Sequence, residues 1–123
     1  RSFKDCLILL KSSILDSNNL LKLDCVPESM LVLGGGIIGA EYASFFAALG
    51  TKVTVIDKKS TMLPKLDSEV STHLQGGLKQ LGLNFLGNKL IKGIENKNNR
   101  AHVYFEGGGS EEADVLLYAL VVL

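Results

Sequence analysis

The chain has 123 residues, which against about 100–200 residues per domain leaves room for one domain. Its 13 Lys+Arg balance 13 Asp+Glu, so no net field draws in nucleic acid or an anionic membrane surface. With 46% hydrophobic and 21% charged residues the composition is that of a globular protein, which excludes a disordered one. No apolar run approaches the roughly 18–20 residues of a membrane span, and no small-residue cleavage site follows the short apolar run at residues 6–10. The expectation is therefore a cytoplasmic protein without a signal peptide.

In chain order, residues 12–15 read as a strand, and residues 16–19 offer a cap for a short helix through Leu23. Val26-Pro27 ends it, because the residue before proline is pushed out of the α region. These pieces look like the end of something upstream, so residues 1–25 are set apart as the tail of a preceding segment and residues 26–123 as the domain. Cys6 and Cys25 stand 19 positions apart, which matches neither a C-x-x-C nor a zinc pattern. They read as two reduced thiols, the alternative being a disulfide, which would need an oxidising compartment that nothing else suggests.

Residues 30–33 form a short apolar strand that runs into Gly34-Gly35-Gly36. Over residues 37–49 the apolar positions Ile38, Tyr42, Phe45 and Leu49 mark one face of a helix, and Gly50 stands where a helix C′ residue belongs. The β-branched run 52–57 is the next strand. Connections this short make a βαβ unit with parallel strands. A second helix is expected over residues 67–81, with Val70, Leu74, Leu78 and Leu81 in register, Asp67 as N-cap and Gly82 past the end. Gly76 and Gly77 inside it each cost about 1 kcal/mol relative to Ala. Residues 83–86 read as a third parallel strand. Residues 89–95 and 101–105 follow as strands, with turns at 96–99 and 107–110, and residues 113–120 as a strand buried on both faces. The fold class is α/β: a Rossmann-like doubly wound parallel sheet with a small antiparallel β-meander insertion.

Gly34-Gly35-Gly36-Ile37-Ile38-Gly39 satisfies G-x-G-x-x-G. A strand precedes it, a helix opens inside it, and Asp57 stands 21 positions beyond Gly36 at the end of the next strand, the arrangement of a dinucleotide fingerprint. Gly34 would permit the tight turn, Gly36 the approach of a pyrophosphate, and Gly39 close packing of helix on strand. Asp57 would accept hydrogen bonds from the adenosine ribose. It favours NAD over NADP, whose 2′-phosphate it would repel, whereas Lys58 or Lys59 would attract that phosphate. The plain alternative is a sharp turn in which Asp57 caps the following loop. A methyltransferase using S-adenosylmethionine also carries a glycine loop and an acid after the second strand, but the third-glycine spacing followed by Glu-Tyr-Ala-Ser argues against it. Glu41, near the start of the helix, reads by itself as an acid complementing the helix dipole.

The run 26–57, with residues 62–67 and 113–120, resembles the NAD-binding domain of the FAD-dependent pyridine nucleotide–disulfide oxidoreductases, the family of dihydrolipoamide dehydrogenase and soluble transhydrogenase. The resemblance implies hydride transfer between NAD(P)H and FAD, with FAD held by a separate domain. It implies that Gly34, Gly36 and Gly39, with Gly35, Ile37 and Ile38 between them, receive the pyrophosphate. Asp57 would stand at the ribose, and Leu90 would line the adenine pocket; Lys58 beside Asp57 is a further candidate cofactor contact by its position alone. Glu41 matches an acid near nicotinamide and flavin that pairs with a lysine of the FAD domain. FAD-binding and interface domains of a parent chain and a homodimer are the implied partners, with no nucleic acid, membrane or metal. The family's redox-active C-x-x-x-x-C pair is missing here. Its catalytic His is matched by neither His73 nor His102, which read as surface residues. This segment alone is expected to bind dinucleotide without catalysing a reaction. The alternative is a stand-alone, non-catalytic nucleotide sensor.

Overall fold

The computed structural model describes residues 14–16, 25–34, 37–60, 76–77 and 79–118. The described strands are β1 (Ile14–Asp16), β2 (Ser29–Leu33), β3 (Lys52–Ile56), β4 (Leu83–Leu86), β5 (Ile91–Lys97), β6 (Arg100–Phe105), β7 (Ser110–Ala113) and β8 (Val115–Tyr118), and α1 spans Ile37–Ala48. Two sheets result, a five-stranded one in the order β1-β8-β2-β3-β4 and a three-stranded one in the order β5-β6-β7. Every pairing in the first is parallel and every pairing in the second antiparallel. The α/β fold with a meander insertion is thus the one observed.

The parallel strands are apolar at successive positions because both faces are covered. Met30, Val32, Val53, Val55, Val115 and Leu117 pack with Ala40, Ala43, Phe46 and Ala47 of α1. Leu31, Ile56 and Leu116 pack with Ala101, Val103, Phe105 and Ala113 of the meander. Helix, parallel sheet and meander therefore form three layers. The meander stands in the crossover from β4 to β8, and β8 inserts between β1 and β2.

Three sequence readings change. Of the face expected to bury α1, Tyr42 is half-buried and packs against the core, but Phe45 is 59% and Leu49 50% exposed, while Ala40, Ala43, Phe46 and Ala47 are buried. The segment is apolar on two sides, and the alanine side lets the helix axis come closer to the sheet. The run 113–120 is not one strand. It breaks at Asp114, with Ala113 in the antiparallel sheet and Val115 opening β8. Hydrophobicity alone does not register a change of sheet. Asp16 ends β1, and the helix expected to follow it, through residue 23, lies outside the described residues. Cys25 is disulfide-bonded, not reduced. Cysteine count, spacing and expected compartment, on which the thiol reading rested, do not determine which cysteines meet in a folded chain.

Of the expected helix 67–81, residues 76, 77, 79 and 80 are helical, and the remainder up to residue 75, with residue 78, lies outside the described residues, as do Cys6, His73 and residues 119–120. The end of α1 is a Schellman motif: the Thr51 N–H donates to the Phe46 carbonyl and the Gly50 N–H to that of Ala47, both at 3.0 Å. The turn 96–99 closes with Asn98 and Asn99 at φ 55° and 60°, the left-handed pair of a type I′ hairpin. Gly93 falls at a register shift between β5 and β6, a bulge that an isolated strand glycine signals. His102 is half-buried on the outer face of the meander, 3.3 Å from Glu112.

Candidate functional site: the carboxyl edge of the parallel sheet

Strand order locates the place where a ligand would sit. From β2 the chain winds outward through β3 and β4, then returns to the other side of β2 as β8. The strand order thus reverses at β2, and in sheets of this kind ligands bind outside the carboxyl ends of the strands at such a point. Gly34 lies there, directly after β2.

Local geometry follows from the glycines. Gly34 has φ +95°, a backbone region that L side chains rarely adopt. Its N–H donates to the Ile56 carbonyl at 2.8 Å, tying the end of β2 to the end of β3. A Cβ at Gly39 would collide with the Gly34 carbonyl oxygen and touch Val32, so α1 packs onto β2 in the way expected of the third glycine. Gly35 and Gly36 lie outside the described residues. Ile37 and Ile38 form the first turn of α1.

Beside Gly34 is a cleft of about 260 Å³. Leu33 and Gly34 line it from β2, Ile56, Asp57 and Lys58 from β3 and its exit, and Lys89, Leu90 and Ile91 from the linker into β5. The linker is held by the backbone: the Asp57 N–H donates to the Leu86 carbonyl, the Lys89 N–H to that of Asp57, and the Asn88 N–H to that of Lys59, each at 3.0 Å. These bonds continue the β3–β4 pairing beyond the strands and carry residues 89–91 to the cleft. Leu90 is 55% exposed there, an apolar surface turned toward an opening lined with charges.

Among the sequence-predicted residues, Gly34, Asp57, Lys58 and Leu90 share this cleft. Asp57 accepts the Lys59 N–H at 3.1 Å through Oδ1, so it does cap its own loop while lining the cleft. Glu41 is elsewhere, exposed on α1. No acid lies in the first turn of α1, and a dipole effect fades within that turn, so the dipole reading of Glu41 is corrected. Lys89 and Ile91 were missed; no motif marks them, because only the β4–β5 linker geometry brings them in. Among the described residues no group of three His, Cys, Asp or Glu side chains is placed to hold a metal ion. Among the described residues no helix is long and apolar enough to cross a membrane.

The family model described as pyridine nucleotide-disulphide oxidoreductase matches residues 8–120. A soluble pyridine nucleotide transhydrogenase of Mycobacterium bovis is 38% identical over 106 residues, 86% of this chain and 23% of that protein. A dihydrolipoamide dehydrogenase of Chaetomium thermophilum is 40% identical over 116 residues, 89% of this chain and 23% of that protein. The solved HOCl-induced flavoprotein disulfide reductase RclA from Escherichia coli superposes with a TM-score of 0.83 at 33% identity, over 89% of this chain and 24% of that one. The chain thus spans about a quarter of the length of the proteins it matches.

Proposed function

The chain belongs to the pyridine nucleotide-disulphide oxidoreductase family, and from that premise we propose that it is the NAD(H)-binding domain of a flavin-dependent oxidoreductase. Its task is to position nicotinamide for hydride transfer to or from FAD held by another domain. The observation that carries the reading is the meeting, at one sheet edge, of the Gly34 turn, the Asp57 carboxylate and the exposed Leu90. The residues present fit a dinucleotide. Gly39 keeps α1 tight against β2, so the helix opens near Gly34, and the first N–H groups and dipole of a helix favour phosphate. Asp57 addresses the ribose hydroxyls and Leu90 covers the adenine. FAD, when bound, supplies the acceptor or donor of the hydride, and protein groups supply binding and orientation.

Glu41, exposed on α1, is the acid we assign to the flavin side, facing a lysine of the FAD domain. The whole protein is read as a cytoplasmic homodimer with FAD-binding and interface domains.

Calorimetric titration of the native polypeptide carrying these residues with NADH and NADPH tests the reading. NADH binds more tightly, and Asp57→Ala weakens NADH about tenfold, the loss of one charge-assisted hydrogen bond, while weakening NADPH far less. A folded protein that binds neither nucleotide overturns it.

A further inference from the structure

We infer that Lys89 is a specificity-determining residue, whose ammonium group admits a phosphate on the adenosine 2′-oxygen beside Asp57. The inference rests on the nucleotide reading of the cleft and deepens it: the adenosine end takes a 2′-phosphorylated ligand as well as one with a free 2′-hydroxyl.

A carboxylate alone repels a 2′-phosphate, which is why Asp57 by itself argues for NAD. The cleft does not present that carboxylate alone. Asp57 shares it with two lysines, Lys58 and Lys89, so one acidic and two basic residues border it. Lys59, two residues from Asp57 in the same loop, is not among them.

The two lining lysines differ in how they are held. Lys58 is exposed, and ordering an exposed lysine around a ligand costs side-chain entropy. Lys89 is half-buried, and its Nζ sits 5.3 Å from the centroid of the Phe105 ring, within range of a cation–π contact. Phe105 is itself buried in the core between sheet and meander, so the ring is a fixed platform. The Lys89 N–H donates to the Asp57 carbonyl at 3.0 Å, which fixes the backbone of the cation to that of the ribose-side acid. The Glu106 N–H donates to the Leu90 carbonyl at 2.9 Å and ties the same linker to the meander. An ammonium group restrained in this way is placed before the ligand arrives, and preorganisation of this kind raises affinity by lowering the ordering cost.

The test uses two probes without nicotinamide, 5′-AMP and adenosine 2′,5′-bisphosphate, titrated against the native polypeptide. The readout is the ratio of their affinities. Lys89→Met lowers the ratio of bisphosphate to 5′-AMP affinity about fivefold, Lys89→Arg retains it, and Lys58→Met lowers it less than twofold. That ratio in the unsubstituted protein also declines as salt is raised, since the contact is ionic. An unchanged ratio in Lys89→Met overturns the inference, as does an equal loss for both probes or a loss confined to Lys58→Met. In each of those cases binding of 5′-AMP leaves the nucleotide reading standing. If the folded protein binds neither probe, the nucleotide reading falls and this inference falls with it.

Discussion

The two ends of the parallel sheet treat their carboxylates differently. At the amino end, Asp114 Oδ2 accepts the N–H groups of Glu28 and Ser29 at 3.2 and 3.3 Å, and Oδ1 accepts Arg100 Nη1 at 2.8 Å. The Asp114 N–H returns a bond to Ser29 Oγ at 2.9 Å. Nearby, buried Thr51 donates its hydroxyl to the Pro27 carbonyl at 2.8 Å. These groups satisfy one another and join β2, β6 and β8. At the carboxyl end, Asp57 takes a bond from within its own loop and lines an open cleft with two lysines and an exposed leucine. The same side-chain chemistry is a structural clasp where donors from two strands converge on it, and a candidate ligand group where it faces space.

Substitutions at the two ends should separate stability from binding. The largest effect is expected from Gly39→Val. Its Cβ meets backbone, which cannot yield as a side chain tip can, so about 2–3 kcal/mol of stability is lost by overpacking and NADH affinity falls more than tenfold as α1 is levered off β2. Denaturant unfolding and nucleotide titration read the two losses together. Asp114→Ala should cost about 2 kcal/mol, from a lost ion pair and two N–H groups left without an acceptor. NADH affinity should stay within twofold, and a larger change there would mean that the two ends are coupled. Thr51→Val should cost about 1 kcal/mol, one hydrogen bond with shape retained, seen as a lower denaturation midpoint at unchanged slope.

The smallest expected effect belongs to neither end. On the outer face of the meander, the Tyr104 hydroxyl donates to Glu95 Oε2 at 3.0 Å, and that bond, with burial and the acid's charge, holds the phenol above its ordinary pKa of 10.0. Glu95→Gln should move the Tyr104 titration, followed by tyrosinate absorbance, down toward that value. The sign for stability follows: the raised pKa contributes stability that is present below pH 10 and lost as pH rises through the folded value.

Much of this molecule is legible along the chain. The strand–glycine–helix–strand order of residues 30–57 reads from local preference, because β-branched strands, turn glycines and a helix C′ glycine are consequences of backbone sterics. The left-handed Asn98-Asn99 turn is legible for the same reason. The buried side of α1 was not: Phe45 and Leu49 are as apolar as the core asks for, and only the distance of the helix from the sheet favours alanine. The strand change at Asp114 was equally hidden, since its acceptors serve donors 85 and 86 positions away.

By itself the sequence determined the glycine turn, the acid after β3 and the alternation of elements, all set by interactions among residues close in the chain. Only the tertiary structure decided that β8 inserts beside β2 and that the linker after β4 carries Lys89 and Leu90 to Asp57. Those placements depend on hydrogen bonds between segments remote in sequence and on which faces find cover, and neither leaves a local trace in the residues that obey it.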